Sequence, residues 1–353
     1  MGKTRVAFIG TGRMTDKPGR MGYAMAHMHA DGYKKLADVE MVACADLVEE
    51  NAEAFAEKYG FSDTYTDYEE MLAAVKPDMV SICTWPHLHA EMVLACAAAE
   101  VAGVHCEKPM AHTFGAAKTM VAACEEAGTK LTFNHQRRYG KPFYLAKQLL
   151  DEGTIGNLQT IQFGTSDLYD YGSHSWDMCN YFNNEQDTKW VLCGLDYSQE
   201  NVVFGAHNSN HSTVVWGYEN GVFGQACGGD AKGAVGCHHR LLGTEGMIEI
   251  GREGMGALRV LSAGQAWEEI DTGGEGCHGA EFVYRCIADI VNCLRNGQES
   301  QMNARNALRA TEQIFAAWES ARRRGLVRLP LEIDDNPLEA MVAAGELRPT
   351  PAE

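Results

Sequence analysis

The chain has 353 residues, with 30 Lys plus Arg against 48 Asp plus Glu and a formal net charge of -18. That length favours two domains over one, and a hydrophobic share of 45% supports a sizeable core. An acidic surface repels phosphate backbones and anionic lipid, so nucleic acid and membrane are excluded as partners.

The 12 Cys lie mostly in apolar runs and form no CxxC pair. They read as reduced thiols packed as small hydrophobes, with no metal site expected. Residues 1–5 run straight into a strand pattern without an apolar leader, and no apolar run is long enough for a bilayer. The expected location is the cytoplasm.

The first third alternates short apolar runs with helical patterns. Strands are expected at 6–9, 39–45, 79–84, 104–106 and 131–133, with helices at 22–36, 49–59, 89–99 and 115–127. Strict alternation implies right-handed βαβ units and a parallel sheet buried on both faces, a Rossmann domain. The pattern changes near residue 140. A helix at 142–152 leads into a strand at 158–165. Period-2 runs follow at 202–204, 212–216, 222–225, 241–242, 247–250, 258–261 and 266–270, with an Asn220-Gly221 hairpin signal. Helices at 280–295 and 304–324 close the series. The expected fold is α/β: an N-terminal Rossmann domain (1–136), then a C-terminal α/β domain on an open, mostly antiparallel sheet (137–330). A tail (331–353) is expected to lie over the surface.

The run Val6-Ala7-Phe8-Ile9-Gly10-Thr11-Gly12-Arg13-Met14 is a strand entering a Gly-x-Gly turn. Gly10 permits the tight turn, and Gly12 lets the backbone approach a pyrophosphate at the next helix N-terminus. A third small residue is expected at 15, where Thr15 stands; Gly22 comes seven positions late. Thr15 to Met21 therefore reads as an insertion beside the pyrophosphate. Asp46, after the second strand, suits the adenosine ribose hydroxyls and would repel a 2′-phosphate, so NAD is expected ahead of NADP. The competing reading of Asp46 is a helix cap.

Two further motifs are Cys106-Glu107-Lys108-Pro109-Met110 and Asp170-Tyr171-Gly172-Ser173-His174-Ser175-Trp176-Asp177. With Thr84-Trp85-Pro86-His87-Leu88-His89-Ala90, Arg137-Arg138-Tyr139 and Gly243-Thr244-Glu245-Gly246, their order resembles the Gfo/Idh/MocA oxidoreductases from about Arg5 to Pro330. The resemblance implies cofactor contacts at Gly10, Gly12, Arg13, Met14, Asp46, Thr84, Trp85, His89, Glu107 and Lys108. It places the family's catalytic lysine on Lys108 and its Asp-x-x-x-His pair on Asp170 and His174. It also implies a homodimer or homotetramer.

The chemistry suits these residue types. Oxidising a secondary alcohol sends a hydride to the nicotinamide and a proton to a base. His174 titrates in the neutral range and Lys108 offers a cation to a developing alkoxide; either could take the proton. Asp170 would orient the imidazole or bond a sugar hydroxyl. Around them Arg138, Tyr139, Tyr171, Trp176 and His238 are candidate substrate contacts, with Arg137 and His239 also in reach. Aromatic faces beside carboxylates suit a sugar ring, although core packing explains each aromatic equally well. The segment from Asp167 to Trp176 reads as a short substrate loop.

The expected function is an NAD-dependent oxidoreductase acting on a secondary hydroxyl of a sugar, cyclitol or glycoside. The alternative is an NAD-dependent glycosidase that oxidises, eliminates, adds water and re-reduces with recycled cofactor. A third reading, a non-catalytic nucleotide sensor, would survive loss of Lys108 and His174.

Overall fold

A computed structural model describes residues 2–13 and 24–351 of the chain. Met14 and the Thr15 to Met21 insertion lie outside the described residues, as does Gly22.

Apolar runs punctuated by helix signals build the first sheet. β1 (Thr4–Ile9), α1 (Met25–Tyr33), β2 (Val39–Ala45), α2 (Glu49–Tyr59), β3 (Asp63–Tyr65), α3 (Tyr68–Val75), β4 (Met79–Ile82), α4 (Pro86–Ala98), β5 (Gly103–Cys106), α5 (Phe114–Ala127) and β6 (Lys130–Phe133) follow in order. All six strands are parallel, in the order β3-β2-β1-β4-β5-β6. Every residue of β4 and β5 is buried, as a sheet covered on both faces requires. The order reverses between β1 and β4, the switch point at which such sheets open a crevice beyond their strand ends.

β3 and α3 are additions to the expected pattern. β3 is three residues long and too polar to read as a run. α3 is capped by Asp67, whose Oδ1 accepts from Glu69 N at 2.7 Å and Glu70 N at 3.3 Å.

The next elements are α6 (Lys141–Asp151), β7 (Leu158–Thr165), α7 (Asp170–Phe182), β8 (Thr188–Asp196), β9 (Val202–Val203), β10 (Ala206–His207), β11 (His211–Tyr218), β12 (Phe223–Gly229), β13 (His239–Gly243), β14 (Gly246–Ile250), β15 (Leu258–Ser262) and β16 (Glu268–Glu269). The chain ends with α8 (Ala280–Asn296), α9 (Ala304–Arg323), β17 (Val327–Arg328) and α10 (Pro337–Ala343). The second sheet runs β16-β15-β14-β13-β7-β12-β11-β8-β17; only β7 and β12 pair in parallel. The expected mostly antiparallel α/β architecture is what the second half shows.

Three readings need correction. The segment from Asp170 onward is not a loop but α7, 13 residues long. Asp167 starts it, its carboxylate accepting from the backbone N–H groups of Tyr169, Asp170 and Tyr171. The tail is not a surface strap. α10 buries Leu338 and Met341, and Thr350 forms an isolated bridge with Gln199. Finally, the chain divides into two compact units, 1–134 with 280–308, and 135–279 with 309–353. Sequence order places 280–308 in the second domain; packing groups them with the first.

The reason is α8's apolar face. It buries Phe282, Val283, Cys286, Ile287, Ile290 and Val291. Gly32 on α1 admits it: a Cβ there would stand 3.1 Å from Ile287 Cγ1. Arg295, at the end of α8, donates to Gly2 O and Thr4 Oγ1, each at 3.1 Å.

The second unit's core centres on Trp216, wholly buried with Phe163 at 5.8 Å and Trp176 at 4.4 Å between ring centroids. Gly224, opposite Trp216 on β12, leaves room for the indole; a Cβ there would fall 1.8 Å from Trp216 Cε2. The enclosed indole cannot swing aside. We expect Gly224→Ala to cost about 1–3 kcal/mol by overpacking, seen as a lowered urea midpoint and melting temperature.

Candidate active site

The first residues past each parallel strand line up across the sheet's carboxyl edge. Gly10 N donates to Ala45 O at 2.9 Å, Cys83 N to Ile9 O at 2.8 Å, Glu107 N to Ile82 O at 2.9 Å and Asn134 N to Cys106 O at 2.9 Å. Asp46, Gly10, Cys83, Glu107 and Asn134 thus form a row, with Thr11 to Arg13, Thr84 to Trp85 and Lys108 one step beyond.

Gly10 has two reasons to be glycine. Its φ is +80°, and a Cβ would stand 2.5 Å from Thr84 Cγ2 and 3.0 Å from Cys83 O. The turn therefore passes directly beside the end of β4, at the switch point. Gly12 also has positive φ, +58°. Asp46 organises this turn: its Oδ2 accepts from Thr11 N, Thr11 Oγ1 and Gly12 N, each at 2.9 Å. Its Oδ1 accepts from Val48 N at 3.0 Å, just ahead of α2. That bond reaches Val48, the N-cap residue itself, and not the first-turn amides, so Asp46 is not the cap of α2; its Oδ1 keeps capacity for a further donor. Arg13 and Trp85 are exposed, and Thr84 is half-buried.

His89 and Glu107 are placed differently from a ligand-facing residue. His89 is wholly buried. Its Nδ1 lies 3.2 Å from Met110 O and its Nε2 3.1 Å from Thr84 O, so it ties the β4 turn to the Glu-Lys-Pro turn. Glu107 points into the core. Its Oε1 meets His29 Nε2 at 2.9 Å and accepts from Asn134 Nδ2 at 2.6 Å; its Oε2 accepts from Lys108 N at 3.2 Å. His29 continues through Ser81 Oγ at 3.2 Å to Tyr33 OH, 3.1 Å further. Burial alone would raise the Glu107 carboxyl. The hydrogen bond and charge of His29, the Lys108 charge and the Asn134 amide override it and hold the group at about 2. Lys108 itself is half-buried at the turn.

In the second unit, Asp170 and His174 stand one turn apart on α7, both buried. His135 lies beside His174, ring centroids 5.7 Å apart, and its Nδ1 is 3.3 Å from Asp177 Oδ1. Arg138 is buried against carboxylates: Nε to Asp177 Oδ2 at 2.8 Å, Nη2 to Asp177 Oδ1 at 2.7 Å and Nη1 to Glu185 Oε1 at 2.7 Å. Burial would raise Asp177, but Arg138 and His135 hold it at about 2. Arg138 is therefore a structural ion pair and has no spare fork for substrate. Trp176 is core, as its contacts above show. Tyr171 is exposed, Tyr139 and His238 half-buried.

Residues 4–135 match the family model described as "Oxidoreductase family, NAD-binding Rossmann fold". Over these residues the chain is similar to the Gfo/Idh/MocA oxidoreductases. It is 35% identical to D-glucoside 3-dehydrogenase of Escherichia coli K12 over 156 residues, 44% of this chain and 41% of that enzyme. The match thus spans less than half of that relative. It is 24% identical to D-apiose dehydrogenase of Paraburkholderia graminis over 92% of each chain. The solved levoglucosan dehydrogenase, in complex with NADH and levoglucosan, shares the fold with a TM-score of 0.78 at 20% identity; the match covers 93% of this chain and 100% of that one.

The switch-point row fits the NAD of this Gfo/Idh/MocA domain: a glycine turn at positive φ, a side-chain-free approach at Gly10, and a carboxylate beside it. Residues the motifs did not single out are His29, Asn134 and His135. Among the described residues no cluster of three His, Cys, Asp or Glu is arranged to hold a metal, no cysteine is in a disulfide, and no helix is long and apolar enough to cross a membrane.

Because Glu107 titrates below its ordinary 4.5, the fold favours its ionised form. That contribution is full above about pH 4.5 and vanishes as pH falls towards 2. Glu107→Gln should therefore be less stable than the parent by about 1–3 kcal/mol at pH 7. Urea midpoints measured from pH 7 to pH 3 should show the gap closing as pH falls.

Proposed function

We propose that this protein oxidises a secondary hydroxyl of a sugar or sugar derivative with NAD. The observation that supports it most is the switch-point turn, where Gly10 gives up its side chain beside Thr84 and Asp46 holds Thr11 and Gly12. The names of the relatives support the substrate class: a D-glucoside dehydrogenase, a D-apiose dehydrogenase and a levoglucosan dehydrogenase.

In this reading Gly10, Gly12 and Thr84 border the dinucleotide, Asp46 Oδ1 takes a ribose hydroxyl, and Arg13 and Trp85 flank it. NAD when bound is the hydride acceptor. His174 and Lys108 are the two candidates for taking the hydroxyl proton or steadying the negative oxygen. Asp170, a turn before His174, orients the imidazole or a sugar hydroxyl. Glu107 and His89 are positioning residues, since they hold the Lys108 and Thr84 turns without facing the ligand.

The test is a panel of sugars, cyclitols and glycosides incubated with NAD and followed at the NADH absorbance. Stoichiometric NADH supports the reading; aglycone release without net NADH would replace it with the redox hydrolase. Lys108→Ala and His174→Ala should each lower kcat/KM by about 10²–10⁴-fold, while His174→Ala leaves NAD affinity unchanged by titration. Activity surviving in both variants would overturn the assignment.

A further inference from the structure

Two adjacent arginines in the 3₁₀ turn at 136–139 are treated in opposite ways. Arg138 is neutralised by two carboxylates. Arg137 is just as buried, 3% exposed, yet among the described residues it has no ion pair. Its one side-chain hydrogen bond among the described residues, Nη1 to Ser175 Oγ, is long at 3.4 Å. A buried charge without a partner is costly, and proteins retain one where a ligand completes it. Burial draws Arg137 down to about 10, so it is still a cation at neutral pH. Asp167 and Asp170 attract it from a distance, but Asp167 is committed to the start of α7.

The three imidazoles beside Arg137 supply no anion. His238, His239 and His278 are each pushed down, first by burial and also by the Arg137 charge, and are neutral at pH 7. Their hydrogen bonds fix the tautomers. His239 Nε2 lies 3.2 Å from Ser175 O, which can only accept, so Nε2 carries the proton and Nδ1 a lone pair. His238 Nδ1, 2.6 Å from that lone pair, must donate, which leaves His238 Nε2 as an acceptor. The cluster therefore offers a guanidinium with unspent donors, a serine hydroxyl and an imidazole acceptor. Its complement carries one negative charge and hydroxyl donors.

We propose that the substrate is a sugar acid, with Arg137 binding its carboxylate and His238 accepting from a neighbouring hydroxyl. This rests on the oxidoreductase reading and names the substrate class within it. One guanidinium matches a carboxylate monoanion better than a phosphate dianion, and its planar fork suits the two carboxylate oxygens.

The test uses NAD-loaded enzyme and matched pairs: methyl glucoside against methyl glucuronide, galactose against galacturonate, and glucose 6-phosphate as the phosphate arm. Calorimetric Kd and NADH formation are measured for each. At least one acid should be favoured over its neutral partner by tenfold or more. Arg137→Met should narrow that preference to within threefold, and Arg137→Lys, which keeps charge but not the fork, should fall between. NAD affinity should stay at the parent value in both. Equal use of acid and neutral partners, no binding by any acid, a preference for the phosphate, or loss of NAD affinity in Arg137→Met would each overturn the inference; the last would assign the guanidinium to cofactor phosphate. Acid binding that depends on Arg137 without NADH formation would instead uphold the inference and defeat the oxidoreductase reading. If Arg137→Met does not fold, Arg137→Lys and the pairwise preference of the parent decide.

Discussion

The buried Glu107 carboxylate is the constraint on which the first unit's site depends. A parallel sheet covered on both faces has no water to offer a charge, so a carboxylate there must be met by the chain itself. His29 from α1, Asn134 after β6 and the backbone of Lys108 meet it. Two separate segments are thereby fixed against the turn that carries Lys108. Ser81 and Tyr33 extend the network behind His29, so the positions of α1 and β4 are tied to the same point. Satisfied in this way, a polar core specifies one arrangement more sharply than an apolar one of similar volume.

The second unit solves the same problem twice, with different results. Asp177 receives Arg138 and His135, and the group is closed. Arg137, one residue away, is left open beside neutral imidazoles. Adjacent identical residues on one short turn thus do different physical work, one holding α7 and the other facing polar groups it does not use up. His174 and Asp170 sit on that same α7, so the helix that Asp177 anchors is the one that presents one of the two candidate proton acceptors.

Much of the fold was legible because parallel strands buried on both faces are plain apolar runs, as Val6 to Ile9 is, while Leu158 to Thr165 was legible as a half-buried strand of alternating burial. β3 was not, being short and polar, and α3 hid behind a cap that only Asp67 signals. β8 was missed because Trp190 to Cys193 is a continuous apolar run, although its burial alternates and leaves Leu192 exposed. The site was legible where glycine or a motif was required: Gly10, Asp46 and Lys108. The side chains of Arg138, Trp176 and His89 turn inward, which spacing along the chain does not reveal. His29 and Asn134 matter through contacts 78 and 27 residues away from Glu107, and no local pattern encodes such a meeting.

The return of α8 to the first unit has a consequence for synthesis. The apolar partner of α1 is encoded almost 250 residues downstream, after most of the second unit. A nascent chain that has emerged only as far as β6 exposes the α1 surface around Gly32 with nothing to cover it. The dinucleotide domain begins ahead of the second unit but cannot be finished until the α8 and early α9 segments leave the ribosome. For the same reason a break after residue 134 would not release a self-sufficient nucleotide-binding fragment, and the two units are one heritable piece despite being two pieces of packing.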